Sequence, residues 1–265
     1  MDFLGLKDKT FYIAGVANKK SVAYFSAKTL IESGAKCIFS VQRNEQLDAV
    51  KKLFPDSAVF VCDVENKADL NQLSVNLKKI TDKIDGYVHS LAFANFSEGL
   101  KPFIETKRED YLQAAQISCF SLVESANALK ELFTTDASIV TISISNTRAT
   151  SYGYLGPIKA MLDATVPFLA KSFSEFSKIR VNAVGAGPLK TSASAGIPDY
   201  IDNYLFAEAL TLRKSALETQ EVANTVCFLL SARSSGINAT TLLVDAGMSC
   251  NYFDQNIVKT FSAQK

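Results

Sequence analysis

The sequence predicts an α/β fold: a single doubly wound parallel sheet of about seven strands, with helices on both faces, formed by residues 1–265 as one domain. Three observations carry that expectation. Short runs rich in β-branched and aromatic residues recur along the chain, each continuously apolar, as strands covered on both faces are. Longer segments with helical periodicity separate them. A chain of 265 residues that is 48% hydrophobic and 21% charged has the size and composition of an ordinary globular domain.

The first run is TFYIAG (10–15), where Gly15 turns the chain out of the sheet, and a helix over 21–33 follows, ending before Gly34. KCIFSV (36–41) is the second strand, with a helix over 44–53. AVFVCDV (58–64) is the third, with a helix over 67–81. DGYVHSLA (85–92) is the fourth, followed by a long helical stretch over 107–133. ASIVTISI (137–144) is the fifth, followed by a helix over 152–175. Pro167 should kink that helix, because it removes the amide that would bond the Asp163 carbonyl. IRVNAVG (179–185) is the sixth strand; the long mixed segment 188–215 after it reads as a lid over a pocket. A helix over 218–231 and the strand TTLLVDAG (240–247) close the series. This alternation builds a Rossmann-like parallel sheet through right-handed crossovers.

Composition excludes several function classes. The 28 basic and 27 acidic residues leave a net charge of +1, no electrostatic footprint for nucleic acid or an anionic membrane. The N-terminal MDFLGLKDKT has no apolar core of a signal peptide, and no run approaches the ~18 apolar residues of a membrane span. The expected location is the cytoplasm. Cys37, Cys62, Cys119, Cys227 and Cys250 are odd in number and form no CxxC pair, so they read as buried thiols of a reducing compartment. The single histidine, His89, lies inside the fourth apolar run and reads as a satisfied strand residue. No metal site is expected.

Ligands of such sheets sit beyond the carboxyl ends of the strands. There, Gly15-Val16-Ala17-Asn18-Lys19-Lys20-Ser21 lacks the GxGxxG pattern but leads from strand to helix, where amides and the Ser21 hydroxyl suit a pyrophosphate. The plainer reading is a tight turn at Gly15 and a helix cap at Ser21. Asp63 suits either an adenine amino group or a simple turn. Gln42 and Arg43 end the second strand where an acid would hold a ribose 2′-hydroxyl; with none present, Arg43 leaves NADPH open beside NADH. Tyr152 and Lys159, seven apart on the predicted helix, lie on one face about 10 Å apart. They can converge on a ligand, and the ammonium should lower the phenol's pKa.

Here the chain resembles the short-chain dehydrogenase/reductase superfamily, and within it the bacterial enoyl-[acyl-carrier-protein] reductases. The resemblance rests on Gly15, Ser21 and Ala23 in the first turn, CDV (62–64), DGYVHSLAFA (85–94), Tyr-x6-Lys, RVNAVGAGPLKTSASAGI (180–197) and VDAG (244–247). Ordinary members of the superfamily use Tyr-x3-Lys, which would need a tyrosine where Leu155 stands. The resemblance implies an NADH- or NADPH-dependent enoyl reductase of fatty-acid biosynthesis, acting on enoyl chains held by acyl carrier protein. It implies that Gly15, Ser21, Val22, Gln42, Arg43, Asp63, Val64, Ser90 and Leu91 line the cofactor. Lys159 would hold its ribose, and Leu189, Lys190, Thr191, Ser192 and Ala193 would cover it. Ala94 would touch the acyl chain, and Tyr152 would bind the thioester carbonyl. A homotetramer is expected on the same ground.

Departures keep two alternatives in play: a carbonyl reductase with another substrate, and a nucleotide-binding protein without turnover. Ile144 stands where the family has a second tyrosine, and strand alternation points Ser143 and Ser145 away from its face. The family's VDGG-like and HSxGFA segments carry alanine for glycine, at Ala246 and Ala92. Phe93, Tyr200, Tyr204 and Phe206 are candidates for an apolar acyl channel, and Lys190, Arg213 and Lys214 for a basic docking patch.

Overall fold

A computed structural model describes residues 2–191, 194, 197 and 200–262. Seven parallel strands form one sheet in the order β3-β2-β1-β4-β5-β6-β7. They are β1 (Thr10–Ala14), β2 (Lys36–Val41), β3 (Val59–Val61), β4 (Ile84–His89), β5 (Phe133–Ile144), β6 (Arg180–Ala186) and β7 (Thr241–Val244). The helices are α1 (Val22–Glu32), α2 (Asn44–Leu53), α3 (Lys67–Lys78), α4 (Arg108–Ala115), α5 (Ser121–Leu129), α6 (Leu155–Ser174), α7 (Tyr200–Leu210), α8 (Thr219–Leu230) and α9 (Gln255–Ser262).

Strand alternation divides the apolar interior into two layers. Tyr12, Ile38, Tyr87, Ile139 and Val181 face one way, onto Leu73 and Leu77 of α3, Leu122 of α5 and Leu162 and Val166 of α6. Phe11, Ile13, Phe39, Val88, Val140 and Val184 face the other way, onto Ala27 and Leu30 of α1, Val50 of α2 and Val226 of α8. Each central strand is therefore apolar on both sides, which is why its sequence reads as an unbroken run.

Several boundaries differ from the sequence expectation. β3 stops at Val61 because Asp63 folds the chain back, its carboxylate accepting from Glu65 N at 3.0 Å. β5 begins at Phe133, absorbing the end of the predicted 107–133 helix, with a register shift against β4 between Ile84 and Gly86. A π-helical turn, Gln116–Phe120, separates α4 from α5. Pro167, exposed to solvent, sits within α6, which runs unbroken from Leu155 to Ser174. Cys250 is exposed, against the expectation of buried thiols, while Cys37, Cys62, Cys119 and Cys227 are buried. Among the described residues, no helix is long and apolar enough to cross a membrane.

Candidate active site

β1 and β4 are neighbours in the sheet although two strands separate them in the chain. This is the switch point of a doubly wound sheet, where a crevice opens. Gly15 leaves β1 at φ +101°, and a β-carbon on it would lie 2.1 Å from the Ser90 carbonyl oxygen. Only glycine permits this approach. Ser90 N donates to Ala14 O at 3.1 Å, fastening the two strand ends. Ser21 caps α1, accepting from Tyr24 N at 3.1 Å and donating to Asn18 O at 2.9 Å.

A cleft of about 590 Å³ lies over these strand ends. That is within the usual range for small-molecule and cofactor sites. At the β1 side it is lined by Gly15, Ser21 and Val22; at the β2 and β3 side by Gln42, Arg43, Asp63 and Val64. Gln42 Nε2 donates to Asp63 Oδ2 at 3.3 Å, so Asp63 both forms a turn and faces the cleft. Ser90, Leu91 and Ala94 line it from the segment after β4, and Leu189 and Thr191 from the segment after β6. Lys190 is exposed and outside the lining, its ammonium 4.3 Å from the centre of the Tyr204 ring. Ser192 and Ala193 lie outside the described residues.

Tyr152 and Lys159 both line the cleft. Their relation is not two turns of one helix. Tyr152 ends a 3₁₀ turn, Thr150–Tyr152, Gly153 bends the chain at φ +60°, and α6 begins only at Leu155. The expected activation of the phenol is also overturned. Burial, with a smaller contribution from Tyr200, pushes the Tyr152 pKa up. The Lys159 ammonium is turned to the Ile142 carbonyl, 2.7 Å away. Tyr152 is thus a neutral phenol and a hydrogen-bond donor. Burial brings Lys159 down to about 8.

Ile144 ends β5 and lines the cleft, where it offers no hydrogen bond. Ser143 is buried and also reaches the lining, whereas Ser145 does not. Tyr200 lines the cleft too, with its hydroxyl accepting from Leu189 N at 2.8 Å. Of the candidate channel aromatics, Phe93 and Tyr200 face the cleft; Tyr204 is buried outside it and Phe206 is in solvent. The expected basic docking patch does not form. Arg213 forks onto Glu221 at 2.5 and 2.6 Å, Lys214 pairs with Asp254, and Lys190 covers Tyr204.

Beneath the site, His89 is fully buried. Ser121 Oγ donates to Ile117 O at 2.7 Å and so accepts from His89 Nε2, leaving Nδ1 to accept from Thr141 Oγ1, each at 2.8 Å. Burial, with help from Lys159, depresses its pKa to about 3, so it stays neutral.

Two residues that hold the segment after β4 carried no role in the sequence reading. Tyr154 accepts from Asn95 N at 2.7 Å and donates to Asn95 O at 3.1 Å. Ser118 does the same for Phe93, at 2.9 and 3.1 Å. Ser118 lies in the π-helical turn, which has no local sequence signal; the TyrGlyTyr of 152–154 was visible but its second tyrosine was not assigned.

A protein-family model described as Enoyl-(Acyl carrier protein) reductase matches residues 15–249. The chain belongs to the enoyl-[acyl-carrier-protein] reductase family. Among curated members, the chain is 34% identical to the NADH-dependent FabI of Enterococcus faecalis over 246 residues, covering 92% of this chain and 98% of that protein. It is 33% identical to the NADPH-dependent FabI of Staphylococcus aureus strain MRSA252 over 251 residues, with the same two coverages, 92% and 98%. The crystal structure of the Bacillus cereus family member with NADP+ and indole naphthyridinone superposes with a TM-score of 0.87 at 32% identity, covering 91% of this chain and 96% of that one. The Anaplasma phagocytophilum member, in complex with NAD, gives 0.87 at 28% identity over 92% and 95% of the two chains.

Proposed function

We propose that this cleft binds NADH or NADPH and reduces the α,β double bond of an enoyl thioester. The observation that carries the reading is the convergence of a neutral Tyr152 phenol and the buried Lys159 on a cleft whose floor, at Gly15, admits only glycine. These residues fit a dinucleotide. The close backbone approach at Gly15 and the capped N-terminus of α1 suit a pyrophosphate, and the Gln42–Asp63 pair suits the polar edge of an adenosine. Val22, Val64, Ser90, Leu91, Leu189 and Thr191 are assigned to the same ligand, together with Arg43.

When bound, the reduced nicotinamide supplies the hydride for the β-carbon of the substrate. The chain's own groups supply alignment and charge. Lys159 holds the ribose hydroxyls through ammonium hydrogens not given to Ile142. Tyr152 donates to the thioester carbonyl oxygen and strengthens that hydrogen bond as negative charge gathers there. Ile144 cannot share this task, which is assigned to Tyr152. Ala94 and Phe93 contact the acyl chain.

Four copies of one nucleotide-binding domain, with a lid over 188–215, constitute the working enzyme. Leu112, Phe120, Met161 and Phe168, left open on α4, the π-helical turn and α6, are the kind of surface such an assembly covers. The carrier protein delivers the substrate, and the buried, unpaired thiols suit the cytoplasm.

The test is reduction of crotonyl thioester, on carrier protein and on coenzyme A, followed by the absorbance of reduced nicotinamide. Tyr152→Phe should lower kcat by roughly 10²–10³ with cofactor binding retained, the loss typical of one oxyanion donor. Turnover undiminished in the variant overturns the assignment of Tyr152; cofactor binding without any turnover in the unaltered protein overturns the activity.

A further inference from the structure

Lys159 carries its charge in an unfavourable place. It is 5% exposed, and an isolated buried ammonium sheds its proton. Every titratable neighbour bears on that balance. His89 on β4 is neutral. Cys119 in the π-helical turn is a thiol whose pKa burial raises, so it contributes no negative charge near neutrality. Tyr152 is a neutral phenol. Asp163 remains, one helical turn beyond Lys159 on α6, where side chains four apart are neighbours. Its carboxylate is half-buried, yet Thr241 Oγ1 on β7 donates to Asp163 Oδ1 at 3.1 Å. Burial raises its pKa above the usual carboxylate value, and the Thr241 hydroxyl and Lys159 itself oppose that rise.

We propose that Asp163, anchored to β7 by the Thr241 hydroxyl, is the positioning residue that keeps Lys159 a cation in the cleft. The arrangement is a line of three: a hydroxyl holds a carboxylate ionised, and the carboxylate holds an ammonium ionised one turn away. Lys159 thereby keeps hydrogens for a ligand while giving one to Ile142. This meaning for Lys159 rests on the reductase reading, but its charge can be followed without turnover.

The experiment is a pH titration of lysine ε-carbons by NMR in the full-length protein, with the Lys159 signal assigned by its loss in Lys159→Met. Lys159 should titrate near 8 in the unaltered protein. In Asp163→Asn its midpoint should fall by about one to two pH units, a ten- to hundredfold change in proton affinity. Thr241→Val should give a smaller shift in the same direction, and Asp163→Glu should restore the original midpoint. The pH above which NADH binding weakens should move with it. A Lys159 midpoint unchanged in Asp163→Asn overturns the proposal. If that variant does not fold, an unchanged midpoint in Thr241→Val does so. Absence of enoyl reduction in the unaltered protein would strike at the reductase reading and leave the titration result standing.

Discussion

Replacing Gly15 by alanine tests the closest backbone approach at any glycine among the described residues. The substitution places a methyl 2.1 Å from the Ser90 carbonyl oxygen and 2.6 Å from its carbon, both backbone atoms that no side-chain rotation can clear. It also puts an L-residue at φ +101°. The backbone strain costs roughly 1–2 kcal/mol, and separating the strand ends enough to admit the methyl sacrifices the Ser90–Ala14 hydrogen bond, about 1 kcal/mol more. Reduced freedom of the unfolded chain returns about 0.4–1 kcal/mol. The net loss is about 2 kcal/mol, which should lower the urea midpoint by roughly 1 M for an m-value of about 2 kcal/mol/M. Gly99→Ala is the control: φ is +80° there, but nothing lies within 4 Å of the added methyl. The difference between the two variants isolates the collision. NADH affinity, read by fluorescence, should fall at least about tenfold in Gly15→Ala and not at all in Gly99→Ala. A Gly15→Ala midpoint no lower than that of Gly99→Ala, with NADH affinity intact, would refute the claim that the β1 and β4 ends form a closed cradle.

Two further outcomes follow from buried and strained groups. His89 binds its proton at about 3 when folded against 6.5 for a free imidazole, so between those values the unfolded chain holds the extra proton and stability falls as pH drops. It is the sole histidine, so the unfolding free energy from urea titrations between about pH 6.5 and 5 should decline by up to about 1.4 kcal/mol per pH unit, a slope that His89→Gln should flatten. Ala246 sits at φ +52°, a left-handed conformation that favours glycine, so Ala246→Gly should raise Tm by about 2 °C in calorimetry, and a lower Tm would contradict the strain.

The succession of strands along the chain and many residues of the cleft were legible because both depend on patterns the chain displays locally. Continuous apolar runs marked the strands, and their carboxyl ends located Gly15, Gln42 and Asp63 without any knowledge of their partners. What escaped was set by contacts far apart in sequence. Tyr152 reads as helical with Lys159 seven residues on, but Gly153 breaks the helix between them. Ser118 acts on Phe93 through a π-helical turn, and Asp163 meets Thr241 across 78 residues. The basic patch failed for the same reason: Glu221 and Asp254 neutralise Arg213 and Lys214 from distant elements.

The place of β1 has a consequence for how the chain assembles. β2 and β3 can join it early, but its other edge waits for β4, which follows α3. A nascent chain that has reached only residue 83 therefore holds Phe11, Tyr12 and Ile13 on a bare strand edge, the kind of edge that recruits chaperones or other copies. Nor can a ligand of the cleft relieve this stage, since the Ser90 side of its cradle has yet to be made. Nucleotide can lock the finished sheet by mass action, but it cannot template the half that is synthesised first.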